Sequence, residues 1–381
     1  MKYFASLIRQ YSKEGERVCG DCVRCLRTGS ATYMVLCDGI GSGIYANIAA
    51  ITCAERLCQL FRSGRGFRSA CATVADSMHR AHSENIPYSA FTAVKILPDG
   101  NFTAYGFQSP SPLLLRQQGA EALQPVYFPA GMEVIAAYFG MLDIGQHLLL
   151  LSDGITESGM GRGYSYGIGS QGVAQYLTVF LRREHDAAVI ADKLLALSRE
   201  LSGGICEDDS TVAVLTAAEP ERLAIASGPP ADRQLDDQFV RDFMKSPGSH
   251  IVCGSTTTDI VSRVLGRSVY FLNRNTAGFV APPEYRIEGI EMVTEGAMML
   301  NQVCNILDEP WDNLQGGSAV VRLARFLRKA DVITFFHGQA LNDAHEDMLF
   351  KQVGVRSRRA VIALLRQKLE ALDKLVIILN Y

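Results

Sequence analysis

The stretch TYMVLCDGIGSG, residues 32–43, joins an apolar run, an acid and a glycine-rich turn, and it decides how the first half of the chain is interpreted. The apolar run predicts a buried strand that ends at Asp38. The glycines after it permit a tight turn beside that acid. Residues 44–61 carry apolar side chains at three- and four-residue spacing, which predicts a helix with Ser42 placed to cap it. A helix N-terminus favours an anion, so the turn indicates a site for a negatively charged group.

Outward from this stretch, the first half of the chain contains hairpins and separate helices. Residues 91–97 and 101–107 flank a Pro-Asp-Gly turn, and 112–116 with 121–126 predict a second hairpin. The other predicted elements are strands at 147–152 and 211–215 and helices at 70–82 and 174–201. Strands grouped into hairpins, with helices grouped apart, are typical of an α+β domain.

The charge and proline pattern changes at AEPER, residues 218–222, and we place a domain boundary there. The chain is thus divided into domains 1–218 and 219–381. The second, smaller domain repeats a strand, a glycine turn and a helix, which is typical of an α/β domain. Its strands are predicted at 223–226, 250–252, 332–336 and 375–379. One long loop is predicted at 273–286.

One turn of the second domain predicts a ligand site. The residues Gly254, Ser255, Thr256 and Thr257 follow a predicted strand and precede a predicted helix. Ligands of open α/β sheets bind at the carboxyl ends of strands, and backbone N–H groups with hydroxyls suit an anion. The hypothesis is a regulatory domain that binds a small-molecule effector. The alternative is a packing and dimerisation domain, and hence a homodimer.

The amino-acid composition limits which classes of function the protein can have. The chain has 381 residues, 48% of them hydrophobic, which is enough for two domains with their own cores. Its 37 basic and 40 acidic residues give a net charge of −3, which argues against binding nucleic acid through phosphate neutralisation. No apolar run approaches the length of a membrane span, and residues 1–17 lack a secretory signal. Ten cysteines, mostly in apolar runs, are expected to be reduced, which predicts a cytoplasmic location.

Four acidic sites in the first half lie at or beside the ends of predicted strands. They are GD at 20–21, DG at 38–39, DGITE at 153–157 and EDD at 207–209. A carboxylate beside a buried strand costs several kcal/mol unless it has a partner, and no matching set of Arg or Lys is evident. Divalent metal ions would neutralise such acids, and all-oxygen ligands select Mg²⁺ or Mn²⁺.

The order GD, DGIGSG, DGITE, DDST resembles the metal-dependent protein phosphatases of the PPM or type 2C superfamily. DGIGSG is similar to the DGMGSG of the bacterial branch typified by the sporulation stage II protein E phosphatase. The resemblance spans residues 15–216. It implies an α-β-β-α sandwich, with two antiparallel sheets flanked by helices, and two or more Mn²⁺ or Mg²⁺ ions at one end. The implied activity is a serine/threonine protein phosphatase in which a metal-bridging hydroxide attacks phosphoserine or phosphothreonine.

The resemblance also implies roles for individual residues, which serve both as metal ligands and in catalysis. Asp38 would bridge two ions and the Gly39 carbonyl would bind one of them. Asp153 and Asp208 would complete the second metal site, and Asp21 would act near the first ion, often through water. The implied partner is a phosphoprotein, because relatives commonly act on phosphorylated anti-sigma antagonist proteins. Ile40 replaces a proton-donating His of eukaryotic relatives, which leaves the general acid unassigned.

Several alternatives stay open. The phosphatase could be vestigial and act as a sensing or scaffold module, or it could hydrolyse small phosphoesters. Asp209 and Glu207 could be further ligands, although a solvated acidic loop around one ligand is the simpler interpretation. Glu157 is expected either to support the ligands from behind or to begin a helix. Oxidation of cysteines next to the acids would inactivate the enzyme. Two minor metal hypotheses concern Cys19, Cys22 and Cys25, and His337 with His345.

Overall fold

The computed structural model describes residues 1–41, 43–181, 184–272, 283–314, 316–340 and 355–381. Ser42, His345 and most of the predicted loop at 273–286 lie outside these residues, so their predicted roles stay predictions. The chain divides into two compact units, Met1–Glu219 and Pro220–Tyr381. Among the described residues, no helix combines the length and the apolar character needed to cross a membrane.

The first unit contains two sheets and two pairs of long helices. Its strands are β1 (Tyr3–Tyr11), β2 (Asp21–Arg27), β3 (Thr32–Gly39), β4 (Ser89–Ile96), β5 (Asn101–Phe107), β6 (Leu113–Arg116), β7 (Gly119–Ala122), β8 (Val126–Ala130), β9 (Glu133–Met141), β10 (His147–Leu151) and β11 (Ser210–Ala218). Its helices are α1 (Gly43–Arg62), α2 (Phe67–Ser83), α3 (Asp153–Thr156), α4 (Gly169–Phe180) and α5 (Ala187–Leu201). The five-stranded sheet has the order β1-β11-β10-β6-β7 and the six-stranded sheet the order β2-β3-β4-β5-β9-β8.

These elements form four layers, which confirms the predicted α+β sandwich. Every strand pair in both sheets is antiparallel. The six-stranded sheet packs on α1 and α2, and the five-stranded sheet packs on α4 and α5. The core between the sheets takes side chains from both of them, including Phe4, Met34, Leu36, Phe102, Leu148 and Leu150. Because successive side chains of a strand point to opposite faces of the sheet, the remaining strand residues face the helices.

Most predicted elements of the first unit are present, with several differences. The second strand of the second hairpin, predicted at 121–126, is β7 at Gly119–Ala122, and strand β8 was not predicted. The region 174–201 forms the end of α4 and a separate α5. The strand near Asp21 begins at that residue, whereas the sequence suggested a strand ending before it. Strands β1 and β9 were not predicted.

The second unit is an α/β fold. Its strands are β12 (Arg222–Ser227), β13 (Ser249–Cys253), β14 (Tyr270–Leu272), β15 (Glu284–Arg286), β16 (Met292–Thr294), β17 (Val332–His337) and β18 (Leu375–Asn380). Its helices are α6 (Asp236–Lys245), α7 (Ser255–Leu265), α8 (Ala297–Ile306), α9 (Ala319–Lys329) and α10 (Arg358–Ala371). The sheet order is β14-β15-β16-β13-β12-β17-β18. Part of the predicted loop is therefore strand β15, which pairs with its neighbours on both sides.

The five strands β16-β13-β12-β17-β18 are parallel, and helices cover both faces of the sheet. Ala224 and Ala226 of β12 face α6 and α7. Leu223 and Ile225 face α8, α9 and α10. In chain order these strands read 3-2-1-4-5, which is a doubly wound arrangement whose ligand sites lie at the carboxyl ends of the strands.

Candidate metal centre

Strand pairing places the first two acids opposite each other. In the antiparallel pair β2–β3, Asp21 is directly opposite Asp38, because β2 begins where β3 ends. Asp38 pairs on its other side with Ala90 of β4. The hydroxyl of Ser89 donates to the Asp38 carbonyl at 2.8 Å and fixes the end of β3.

The other two acids come from the second sheet at the same end of the unit. Asp153 is the first residue of α3 and follows β10, while Asp208 lies just before β11. Strands β10 and β11 are paired, and the Thr211 amide donates to the Ser152 hydroxyl at 2.8 Å. The end of β10 and the start of β11 are therefore held side by side.

Thr211 connects the two sheets at this edge. Its hydroxyl donates to Asp21 Oδ2 at 2.5 Å and accepts a hydrogen bond from Gln10 Nε2 at 2.9 Å. Asp21 is buried, and its other oxygen, Oδ1, has no hydrogen-bond partner among the described residues. A buried carboxylate oxygen without a donor is costly, so a cation is the partner that this position lacks.

Burial and the neighbouring carboxylates raise the pKa values of three of these acids. Burial raises the pKa of Asp21 from 3.8 to about 7, although the hydrogen bond from Thr211 lowers it. Burial and the charges of Asp21 and Asp153 raise the pKa of Asp38 from 3.8 to about 10. Burial raises the pKa of Asp208 as well, and the charge of Asp153 acts in the same direction. With these pKa values Asp38 is protonated and Asp21 about half protonated at neutral pH, and a divalent cation would displace the protons.

Two glycines at this edge are required by close backbone approaches. A Cβ at Gly39 would clash with the carbonyl of Ala46 in the first turn of α1. A Cβ at Gly154 would clash with the carbonyl of Asp209. The glycine of each DG motif therefore allows α1 and the residues before β11 to approach the acids.

Asp209 departs from the expected solvated acidic loop, in which Glu207 and Asp208 are exposed as predicted. It is buried, and its two oxygens accept hydrogen bonds from the backbone amides of Lys13 at 3.0 Å and Gly20 at 2.9 Å. Asp208 beside it is exposed, and its carboxylate is 4.0 Å from Lys13 Nζ. Glu157 is exposed at the C-terminal end of α3, so the prediction that it lies at a helix start is wrong.

The cysteines near the acids are poor candidates for redox control. No disulfide bond joins any of the ten cysteines, all of which are described residues. Burial raises the pKa of Cys19 to about 12 and that of Cys37 well above its usual value. Oxidants react with thiolates, so burial protects these thiols, and the structure argues against the predicted oxidative inactivation.

A polar cleft of about 470 Å³ adjoins Asp153. It extends from the end of β5 to the start of α4, and Thr92 holds its rim through a 2.7 Å hydrogen bond with Ser109. No motif in the sequence predicted this cleft, which the segment GFQSP at 106–110 helps to line. Its lining includes Gln108, Ser109, Ser111, Tyr138, Thr156, Glu157, Tyr166 and Ser170.

The four aspartates provide the kind of ligand atom that a hard divalent cation prefers. Asp21, Asp38, Asp153 and Asp208 offer only oxygen atoms, and the buried Oδ1 of Asp21 is unpartnered within the described chain. No group of three or more His, Cys, Asp or Glu in the described ranges is arranged as a ready-made metal site.

The residues predicted as a site in the second unit lie at the start of α7. Ser255 and Thr256 are exposed, and Gly254 precedes the helix with a φ of 124°. Thr257 is buried, and its hydroxyl accepts a 2.8 Å hydrogen bond from the Gly228 amide.

Sequence comparison shows the family of the first unit. Residues 28–218, half of the chain, match the family model for stage II sporulation protein E, SpoIIE. The chain belongs to the SpoIIE family. The match includes Asp38, Asp153 and Asp208, while Asp21 lies just before it, and it confirms the resemblance seen in the motifs. No curated protein sequence matches this SpoIIE family chain.

Several solved structures resemble the SpoIIE family chain. One holds the PP2C phosphatase domain and a fragment of the regulatory domain of SpoIIE from Bacillus subtilis, at 22% identity and a TM-score of 0.48. That match covers 57% of this chain and 64% of the other, so the chain spans less than two thirds of that structure. The RsbU and RsbW domains of a Mycobacterium tuberculosis protein match at 17% identity and a TM-score of 0.48, over 74% and 80% of the two chains. RsbX in complex with magnesium matches at 15% and 0.42, over 57% and 100%.

Proposed function

We propose that the first unit is a metal-dependent phosphatase that hydrolyses phosphoserine and phosphothreonine in proteins. The observation that carries the proposal is that Asp21, Asp38, Asp153 and Asp208 lie at one edge of two sheets, where Asp38 is close enough to the other three for their charges to add to burial in raising its pKa. Membership of the SpoIIE family supports the proposal, since the B. subtilis relative is named as a PP2C phosphatase domain.

The proposed ligands are Asp21, Asp38, the Gly39 carbonyl, Asp153 and Asp208, holding two or more Mn²⁺ or Mg²⁺ ions. Bound divalent ions supply Lewis-acid stabilisation of phosphoryl oxygens and lower the pKa of bound water. The chain's own part is to hold the aspartates at neighbouring ends of two sheets, so that the side chains need only close onto the ions. Thr211 contributes by fixing the orientation of Asp21.

The cleft beside Asp153 is the proposed site for the phosphorylated side chain. Hydroxyl and amide groups line it, among them those of Gln108, Ser109 and Ser170. These groups can donate hydrogen bonds to phosphate oxygens without adding positive charge. The cleft is open to solvent along one side, and that shape admits a residue carried on a polypeptide.

An exposed apolar patch favours a protein substrate over a small phosphoester. Ile44, Tyr45 and Ile48, in the first turns of α1, are 65%, 75% and 54% exposed. They follow directly after the DGIGSG turn and so lie next to the aspartates. A contiguous apolar patch beside a catalytic site is typical of a protein-binding surface.

Hydrolysis assays with Mn²⁺ or Mg²⁺ test the proposal. The wild type should hydrolyse p-nitrophenyl phosphate and phosphopeptides only with metal, and Asp38→Asn should lose at least about a hundredfold in rate. The matched control is Asp192→Asn, the same chemical change in a surface ion pair with Arg9. It should keep full activity. Absence of metal-dependent turnover in the wild type would support the vestigial scaffold alternative.

A second experiment separates protein from small-molecule substrates. Tyr45→Ser with Ile48→Ser should lower kcat/KM for a phosphoprotein about tenfold and leave p-nitrophenyl phosphate hydrolysis unchanged. Equal losses on both substrates, or no loss on the phosphoprotein, would favour a hydrolase of small phosphoesters.

A further inference from the structure

Two buried hydroxyls lack partners at the carboxyl edge of the parallel sheet in the second unit. Ser227 ends β12 and Thr294 ends β16, and both are fully buried. Neither hydroxyl has a hydrogen-bond partner in the described part of the chain. In the strand register, each is paired with Cys253 of β13, from opposite sides. The two side chains therefore share one face of the sheet, which is the face where Cys253 packs against α8 and α10.

A guanidinium lies at the same edge. Arg358 is the first residue of α10, and a Cβ at Gly228, directly after β12, would clash with its guanidinium. Besides the larger effect of burial, the charge of Arg358 acts to lower the pKa values of Cys253 and His337, which end the two strands beside β12. Arg358 Nε is buried without a hydrogen-bond partner among the described residues, which also provide no carboxylate to pair with it. Burial lowers the pKa of Arg358, but a guanidinium stays charged in proteins.

Two helices also begin at this edge. Helix α7 follows Gly254, α8 follows Gly296, and neither of these N-terminal positions has a side-chain cap. The two turns are in close contact, because a Cβ at Gly296 would be 3.4 Å from the Cα of Gly254. The unpaired N–H groups and the dipoles of both helices favour negative charge at the same place.

Two hydrogen bonds from α8 anchor the chain just before α10. The Asn301 side chain donates to the Arg356 carbonyl at 2.9 Å and accepts from the Arg356 amide at 3.0 Å. This pair of hydrogen bonds holds the chain two residues before Arg358. The backbone that leads into α10 is thus anchored before any ligand arrives, which limits how far Arg358 has to be ordered on binding.

We infer that this carboxyl edge binds a small molecule through a phosphate group, with Arg358 as its charged partner. The hydroxyls of Ser227 and Thr294 and the N-termini of α7 and α8 supply the neutral donors. Phosphate fits this set because it accepts hydrogen bonds from several directions at once. The place agrees with the doubly wound strand order, in which ligands bind at the carboxyl ends. The inference does not depend on the phosphatase activity proposed for the first unit.

Calorimetry and thermal unfolding of the full chain test the inference, with EDTA present so that phosphate does not bind through metal ions. The probes are inorganic phosphate, pyrophosphate and ATP, with citrate as a carboxylate probe, each at millimolar concentration. At least one phosphate probe should bind the wild type, and Arg358→Gln should weaken that binding about tenfold or more. The matched control is Arg366→Gln, the same change on the same helix, where Arg366 pairs with Glu370 at the surface. It should bind like the wild type.

The hydroxyls provide a second readout that a structural role would not give. Ser227→Ala and Thr294→Val should lower probe affinity severalfold while leaving the ligand-free Tm unchanged or higher, because each removes an unpaired buried hydroxyl. A lower ligand-free Tm with unchanged affinity would show that the hydroxyls are structural and would count against the inference. It is overturned if no phosphate probe binds the wild type, or if Arg358→Gln and Arg366→Gln bind alike. Citrate binding as tightly as the phosphate probes would overturn the assignment to phosphate.

Discussion

At the scale of single residues, Gly39 tests how closely α1 approaches the acids. A Cβ there would clash with the Ala46 carbonyl, whereas a Cβ at the exposed Gly29 has no atom within 4 Å. We expect Gly39→Ala to lower the free energy of unfolding by about 1–3 kcal/mol, and Gly29→Ala to change it little. Urea denaturation of both variants measures the difference. Equal stabilities would mean that α1 shifts to make room.

Asp208 and Asp209 are neighbours with opposite expected roles. Asp209→Asn keeps the size of the side chain but replaces one acceptor of a backbone amide, so it should cost about 1–3 kcal/mol of stability. Asp208→Asn should keep stability and weaken Mn²⁺ binding. Denaturation and calorimetry on the two variants check this, and a reversed pattern would make Asp209 the ligand.

At the scale of elements, Thr211 joins β11 to Asp21 of β2 and so links the two sheets at the proposed centre. Thr211→Val removes this hydroxyl at nearly constant shape and should weaken Mn²⁺ binding about tenfold. Thr211→Ser keeps the donor and should bind Mn²⁺ like the wild type. Calorimetry with Mn²⁺ decides between these outcomes. If valine and serine behave alike, Asp21 does not need this hydrogen bond.

The elements show what sequence alone can predict. The strand β3, the helix α1 and the hairpin β4–β5 were predictable because their apolar periods and turn residues are local signals. Strand β1 lacks such a signal, because it lies at the edge of its sheet and its pairing with β11 joins residues about two hundred positions apart. The three-residue strand β16 is too short to show a period.

The site residues also fall into those that the sequence could predict and those that only the structure revealed. The motifs predicted that Asp21, Asp38, Asp153 and Asp208 belong together, and strand register explains why Asp21 faces Asp38. The roles of Asp209 and Arg358 needed the structure. Asp209 binds backbone amides far away in sequence, and Arg358 is an ordinary helix residue until the fold places it against Gly228.

At the scale of the whole molecule, the unpaired acids predict how stability depends on pH without metal. Asp21 and Asp38 keep protons in the folded state at pH values where the unfolded chain has lost them, since their pKa values rise from 3.8 to about 7 and about 10. Stability must then fall as pH rises above the ordinary carboxyl pKa and through these raised values. In EDTA, we expect Tm to fall by several degrees between about pH 5 and pH 9. Asp38→Asn should flatten this slope, and a Tm that rises over the interval would contradict the prediction.

The two units have separate hydrophobic cores, so we expect them to respond to different ligands. A ligand that binds only one folded unit raises the unfolding temperature of that unit alone. Calorimetric unfolding of the full chain should therefore show two transitions, one raised by Mn²⁺ and the other raised by the phosphate probe in EDTA. Asp38→Asn should remove only the first response and Arg358→Gln only the second. A single transition that both ligands raise together would show instead that the units unfold as one cooperative body.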